Sequence, residues 1–254
     1  MRNWLRRLAS ARTTLAVCAS LVATALLIAT PGMVSGKKAP VTHMKVARAH
    51  RARRPAAPQE PIVRVLFVGA SITSGLEQTS LADTYPGKVV ARMRERGQRV
   101  DWQERARAGA LVGDALTWPY PTDQQIIVVH LITNDFLHAT PLDTYQHRLH
   151  EVLVALRERS PQARLVCLGT WEAPGSVNRD QVSLETYDAV AEDRCGREHG
   201  AFVPLDGIFA TPGSRGPRGL ATPWGPTDGW HPNDVGAQEI ADAVLATIPA
   251  GSAS

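Results

Sequence analysis

Residues Ile126–Ile132 read IIVVHLI, an apolar run broken only by His130. A strand with one wet face alternates apolar and polar residues. A run that is apolar at consecutive positions needs cover on both faces, as in a parallel sheet held between two layers of helices. VLFV at Val65–Val68, inside a strand over Ile62–Val68, repeats the pattern. Around these runs the chain alternates. An amphipathic helix is expected at Tyr85–Arg96, with Val89, Val90 and Met93 on one side and Lys88, Arg92, Arg94 and Arg96 largely on the other. A strand at Arg99–Gln103 follows, and after the central run a helix at Leu142–Arg159, with Leu149, Val152, Leu153 and Leu156 at core spacing. A strand at Leu165–Leu168, a helix at Leu184–His199, a strand at Ala201–Leu205 and a closing helix at Asn233–Ile248 complete the series. Such alternation predicts one three-layer α/β/α domain over residues 62–254, with a mostly parallel central sheet and right-handed crossovers.

The first 61 residues are of another kind. Arg2, Arg6, Arg7 and Arg12 precede an uncharged, largely apolar stretch, Thr13–Gly36. A basic start followed by an apolar segment reads as a signal peptide, or as a membrane anchor if it is retained. Val34 and Gly36 are small enough for the −3 and −1 positions of a cleavage site. Lys37–Pro61 is basic and rich in Pro and Ala, the composition of a linker. It serves either as a tether drawn to anionic lipid or wall polymer, or as a plain spacer. The chain is thus expected to be secreted or anchored to the outer face of the cell membrane, with a membrane as partner only through the N-terminal segment. Cys167 and Cys195 are expected to be buried free thiols, export leaving pairing as the alternative. The sequence has no Gly-rich phosphate loop, and no basic-aromatic pattern beyond the linker that would favour nucleic acid. The expected molecule is a monomer.

The informative polar residues follow strands. VLFV runs into GASITSG, Gly69–Gly75, where the chain gives up side-chain volume and offers hydroxyls. Ligands of open α/β sheets sit outside the carboxyl ends of the strands, so Ser71 is a candidate nucleophile; a Gly-rich turn with an N-capping serine is the alternative. A nucleophilic serine needs a base, a group orienting that base, and donors for an oxyanion. Asp228-Gly-Trp-His231-Pro232, just before the closing helix, offers the first two. Its carboxylate can hold the imidazole tautomer while the other ring nitrogen takes the serine proton. Thr133-Asn134-Asp135, after the most apolar strand, offers a side-chain amide. Ala108-Gly109-Ala110, after the second strand, offers a backbone N–H beside small side chains.

In this order and at these places the four blocks resemble the SGNH, or GDSL, hydrolase family, from about Ile62 to the final helix. Gly69-Ala70-Ser71 matches the family's Gly-Asp-Ser, Gly109 its block-two glycine, Ile132-Thr133-Asn134-Asp135 its Gly-x-Asn-Asp, and Asp228 with His231 its Asp-x-x-His. The resemblance implies a flavodoxin-like SGNH hydrolase fold and a serine esterase. Ser71 is then the nucleophile, His231 the base and Asp228 its partner, with an oxyanion hole of Ser71, Gly109 and Asn134 and no metal or organic cofactor. It implies a small-molecule, lipid or carbohydrate ester as substrate. Two departures, Ala70 for Asp and Ile132 for Gly, bear on substrate range. The α/β-hydrolase elbow fits worse, because Gly-x-Ser-x-Gly needs glycine where Thr73 stands.

Trp171, Phe209 and Trp224 are expected as a substrate-binding wall, the last two in the long Gly/Pro-rich connection Asp206–Pro232. His147 and His150, three apart on a helix among charged neighbours, are read as a solvated face rather than as metal ligands. An acyltransferase with the same triad, or a non-catalytic membrane-tethered binding module on the same fold, are the alternative functions.

Overall fold

A computed structural model describes residues 61–249. The signal peptide or anchor expected at 1–36, and all but the last residue of the linker expected at 37–61, lie outside the described residues. Five parallel strands form the sheet: β1 (Ile62–Gly69), β2 (Arg99–Ala106), β3 (Ile126–His130), β4 (Arg164–Leu168) and β5 (Ala201–Val203), in the order β2-β1-β3-β4-β5. Helices α1 (Tyr85–Glu95), α2 (Thr133–Leu137), α3 (Leu142–Arg159), α4 (Leu184–Arg197), α5 (Asp206–Ala210) and α6 (Asp234–Thr247) connect or follow them. The expected α/β/α sandwich is the architecture observed. No helix among the described residues is long and apolar enough to cross a membrane.

The alternation of side chains along β1 explains the layers. Val65 and Phe67 point into one core with Val89 and Met93 of α1 and Ile240 and Val244 of α6. Leu66 and Val68 point into the other, with Val152, Leu153 and Leu156 of α3 and Tyr187 and Ala191 of α4. Both faces of the strand are therefore dry, which is why its sequence shows no polar alternation.

The site follows from the strand order. β1 pairs with β2 on one side and β3 on the other, with Gly69 opposite Ala106 and His130. The chains leaving β1 and β3 therefore diverge at one point of the sheet, opening a crevice at their carboxyl ends. Ser71 leaves the first and Asn134 the second.

Three details differ from expectation. The strand at β2 runs past Gln103 to Ala106, staying paired with β1 along its whole length. The central strand stops at His130 rather than Ile132, because the chain turns at once into α2. Cys167 and Cys195 are not free thiols: a disulfide joins them, with Cα atoms 6.2 Å apart. It ties β4 to the packed face of α4, two elements whose relative register has no local mark in the sequence.

Closing a loop across a separation of 28 residues is worth roughly 3–4 kcal/mol in the chain-entropy account. Reduction, or Cys195→Ala, is expected to lower the melting temperature by roughly 6–16 °C in a thermal scan. An unchanged melting temperature, together with alkylation of both cysteines in unreduced protein, contradicts the link.

Candidate active site

Ser71 sits two residues past the end of β1, in a turn that requires Gly69. A Cβ at Gly69 would lie 1.9 Å from Thr73 Oγ1 and 3.1 Å from the His130 carbonyl oxygen. Thr73 is held over this spot by a hydrogen bond of 3.0 Å between its hydroxyl and that of Tyr85. Backbone bonds from Ser74 N–H to Ala70 C=O (3.0 Å) and from Leu76 N–H to Ser71 C=O (2.9 Å) wind the chain into helical turns directly after the serine. Ser71 is 8% exposed, enough to meet a ligand and too little to wander.

The long connection before α6 brings the other two groups. His231 Nε2 lies 2.9 Å from Ser71 Oγ, and His231 Nδ1 lies 2.8 Å from Asp228 Oδ2. The other Asp228 oxygen accepts from the Trp230 N–H (2.7 Å) and the His231 N–H (3.0 Å), which closes a tight turn on itself. Partial desolvation works to raise the Asp228 carboxyl. It is outweighed by the bonds from the His231 and Trp230 N–H groups, Glu77 and the His231 ring, which hold the group well below the usual carboxylate range. Asp228 therefore stays charged, and Nδ1 carries the proton facing it. Nε2 is left as an acceptor for the serine hydroxyl.

The turn is clamped from outside. Gln78 donates its side-chain amide to the Pro232 carbonyl. Thr79 donates its N–H to Asp234 Oδ1 at 3.0 Å and its hydroxyl to Asp234 Oδ2 at 2.7 Å. Asn233 caps α6 by accepting from the Val235 and Gly236 N–H groups, a contribution of about 1 kcal/mol. The Trp230 ring meets the His231 ring edge-on with centroids 4.8 Å apart, and its Nε1 donates to Glu172 Oε2 at 3.0 Å.

Asn134 is the second residue of α2, and its Nδ2 donates to the Ala110 carbonyl at 2.9 Å. That bond spends one amide hydrogen and fixes the plane of the other. Asp135, fully buried, accepts from the Val112 N–H at 2.8 Å and so holds the 109–112 segment against α2. Burial pushes its carboxyl up to about 6. Gly109 has a left-handed φ of 76°. Neither its N–H nor that of Ser71 donates to a protein acceptor among the described residues.

A small cavity of about 10 Å³ opens beside Ser71, lined by Ala70, Ile72, Ala110, His130, Ile132, Thr133 and Asn134. Ala110 lines it rather than Gly109. His130 of β3 forms part of this wall; burial lowers it to about 4, so it is neutral at ordinary pH. Its Nε2 lies 3.2 Å from the Thr133 hydroxyl, which accepts from the Trp171 N–H at 3.0 Å.

The expected aromatic wall is placed differently. Trp171 is fully buried, stacks edge-on against Phe209 with centroids 5.3 Å apart, and donates Nε1 to the Trp230 carbonyl at 2.8 Å. Both rings buttress the histidine turn and are absent from the lining of the cavity. Trp224, 55% exposed, lies at the tip of a hairpin formed by β6 (Ala221–Thr222) and β7 (Gly225–Pro226). Sequence reasoning did not single out Glu77, Gln78, Thr79 or Trp230. Trp230 had the only local signal, its place inside Asp-x-x-His.

A serine, an imidazole and a carboxylate are thus joined in line, beside an oriented amide at a sheet switch point. The GDSL-like lipase/acylhydrolase family matches residues 67–239, and the chain belongs to that family. It is a carboxylic ester hydrolase. Solved structures agree in fold. The extracellular lipase of Streptomyces rimosus is 16% identical, with a TM-score of 0.53, the match covering 73% of this chain and 99% of that one. The family 3 carbohydrate esterase of Clostridium thermocellum is 15% identical, with a TM-score of 0.56 and coverage of 73% and 94%. An acetylxylan esterase from Geobacillus stearothermophilus is 16% identical, with a TM-score of 0.57 and coverage of 73% and 94%. No curated protein matches the chain.

Asp135→Ala leaves the buried Val112 N–H without its acceptor and is expected to cost about 1–3 kcal/mol in urea unfolding. Asp135→Asn keeps an acceptor there and is expected to cost less than half as much. Equal costs for the two would remove the Val112 bond from the account.

Proposed function

We propose that the protein cleaves short-chain carboxylic esters, acetyl esters foremost, through a covalent acyl-serine intermediate. The observation that carries the reading is the hydrogen-bonded line Ser71–His231–Asp228, with its 2.9 and 2.8 Å links. His231 Nε2 accepts the Ser71 proton as Oγ attacks the ester carbonyl. The Asp228 charge stabilises the imidazolium that forms. The free amide hydrogen of Asn134 and the N–H groups of Ser71 and Gly109 receive the oxyanion. His231 then gives its proton to the departing alkoxide, which leaves as the alcohol. In the second half, water loses a proton to Nε2, its oxygen attacks the acyl carbon, and the carbon–Oγ bond breaks. His231 returns the proton to Ser71 as the acid departs.

The acyl side of the site supports a small acyl group. A cavity of about 10 Å³ is room for a single water molecule, the scale of a methyl group. Ile132, standing where the family has glycine, fills the space that a longer chain would take. Two of the structural neighbours are described as carbohydrate or acetylxylan esterases, which makes O-acetylated carbohydrate a fitting substrate class.

Secretion is part of the proposal. The arginine-led apolar stretch at 13–36 favours it, and so does a disulfide, which persists in oxidising compartments. One neighbour is described as an extracellular lipase.

The full chain is expected to hydrolyse p-nitrophenyl acetate at least about tenfold more efficiently, in kcat/KM, than the octanoate, a discrimination within reach of pocket size. Ser71→Ala is expected to abolish both activities. Asn134→Ala is expected to lower kcat by roughly 100- to 1000-fold, the loss of one oxyanion donor. Ile132→Ala is expected to narrow the acetate–octanoate ratio. Hydrolysis that survives in Ser71→Ala overturns the nucleophile, and equal efficiency on both esters overturns the short-acyl assignment.

A further inference from the structure

Glu77 lies six residues beyond the serine, and none of the four family blocks contains it. It is 5% exposed and holds a left-handed φ of 76°, a conformation that side chains other than glycine seldom adopt. Its Oε1 accepts the Asp228 N–H and stands 4.0 Å from His231 Nδ1. Its Oε2 is buried and meets no donor. The group that the Glu77 carboxyl faces is the carboxyl of Asp228. Two acids in contact are joined by a hydrogen bond only when one of them carries a proton.

We propose that Glu77 is a positioning residue of the catalytic dyad: its carboxyl braces Asp228 from behind, so that the reactivity of Ser71 follows the protonation state of Glu77. The inference rests on the serine-esterase reading above and adds a fourth member to that site.

The surroundings support this division of the proton. Asp228 and His231 are the titratable groups that face Glu77, with His231 Nδ1 4.0 Å from its Oε1. Other charges lie on the packed elements but engage different partners. The Arg218 guanidinium donates to the Asp228 carbonyl, Glu172 accepts from Trp230, and Asp83 and Asp234 both accept from the Thr79 hydroxyl. Burial pushes the Glu77 carboxyl up to about 7, with the Asp228 side chain adding to the shift against the lowering bond from the Asp228 N–H. Below that pH the proton on Glu77 bonds to the Asp228 carboxylate. Above it that bond is lost, and Glu77 becomes a second negative charge beside Asp228. The two carboxyls therefore share one proton over this range.

Glutamine at this position reproduces the protonated acid, since it accepts from the Asp228 N–H and donates to the Asp228 carboxylate without ever ionising. The test is the second-order rate of Ser71 labelling by a fluorophosphonate between pH 5 and 9, on the full chain, for wild type, Glu77→Gln and Glu77→Ala, with melting curves for each. The profile of Glu77→Gln is expected to lack the inflection near pH 7 that the Glu77 carboxyl gives the wild type. Glu77→Ala, which removes the brace, is expected to label at least tenfold more slowly at every pH. Superimposable profiles for wild type and Glu77→Gln overturn the proposal, whatever the fate of Glu77→Ala. Failure of the wild type to label at Ser71 overturns the serine reading itself, and the inference with it.

Discussion

A strand hydrogen-bonded on both edges and covered on both faces has one place to present a reactive group, the end where its chain escapes. β1 is such a strand, flanked by β2 and β3 in register over residues Val65–Gly69. The dryness that stabilises it also fixes where its next residues go. Gly69 admits the Thr73 hydroxyl to within what would be bonding distance of a Cβ, and the turn this allows sets Ser71 at the crevice. Had β3 lain beyond β2 rather than across β1, Asn134 would leave the sheet elsewhere and no crevice would form around the serine.

Around the nucleophile the molecule relies on polar bonds more than on packing. The histidine turn is short, rich in glycine and proline, and poor in apolar contacts of its own. Trp171 and Phe209 support it from within the core, while Gln78, Thr79 and Glu77 hold it from the side of the nucleophile loop. The same loop that carries the serine thus holds the base, so a displacement of one carries the other with it. This correlated support suits a site whose reacting atoms must stay within a few tenths of an ångström of each other.

Much of this was legible in the sequence, and for a physical reason. Runs such as IIVVHLI record burial on both faces, and polar residues after such runs record the edge where chemistry is done. Ser71, Asn134, Asp228 and His231 could be picked out because each stands at a strand or helix end. What was hidden depends on contacts between distant segments. Cys167 and Cys195 face one another through the register of α4 on β4. Trp171 looked like a cleft residue because it follows a strand, yet its indole finds its acceptor at Trp230 in the core, 59 residues away. Glu77 gave no signal at all: its partner, Asp228, lies 151 residues further on, and an acid in a loop is ordinarily a solvated one.

Ser71 and His231 are separated by 160 residues, most of the length of the domain. Ser71 stands after the first strand and His231 just before the last helix, so their bond closes a loop of most of the domain. Such long-range contacts form late, after the intervening chain has been ordered. On the proposed mechanism the serine is an ordinary alcohol until α6 docks beside α1 and His231 reaches it. Chemical competence, on that mechanism, is a report of completed folding.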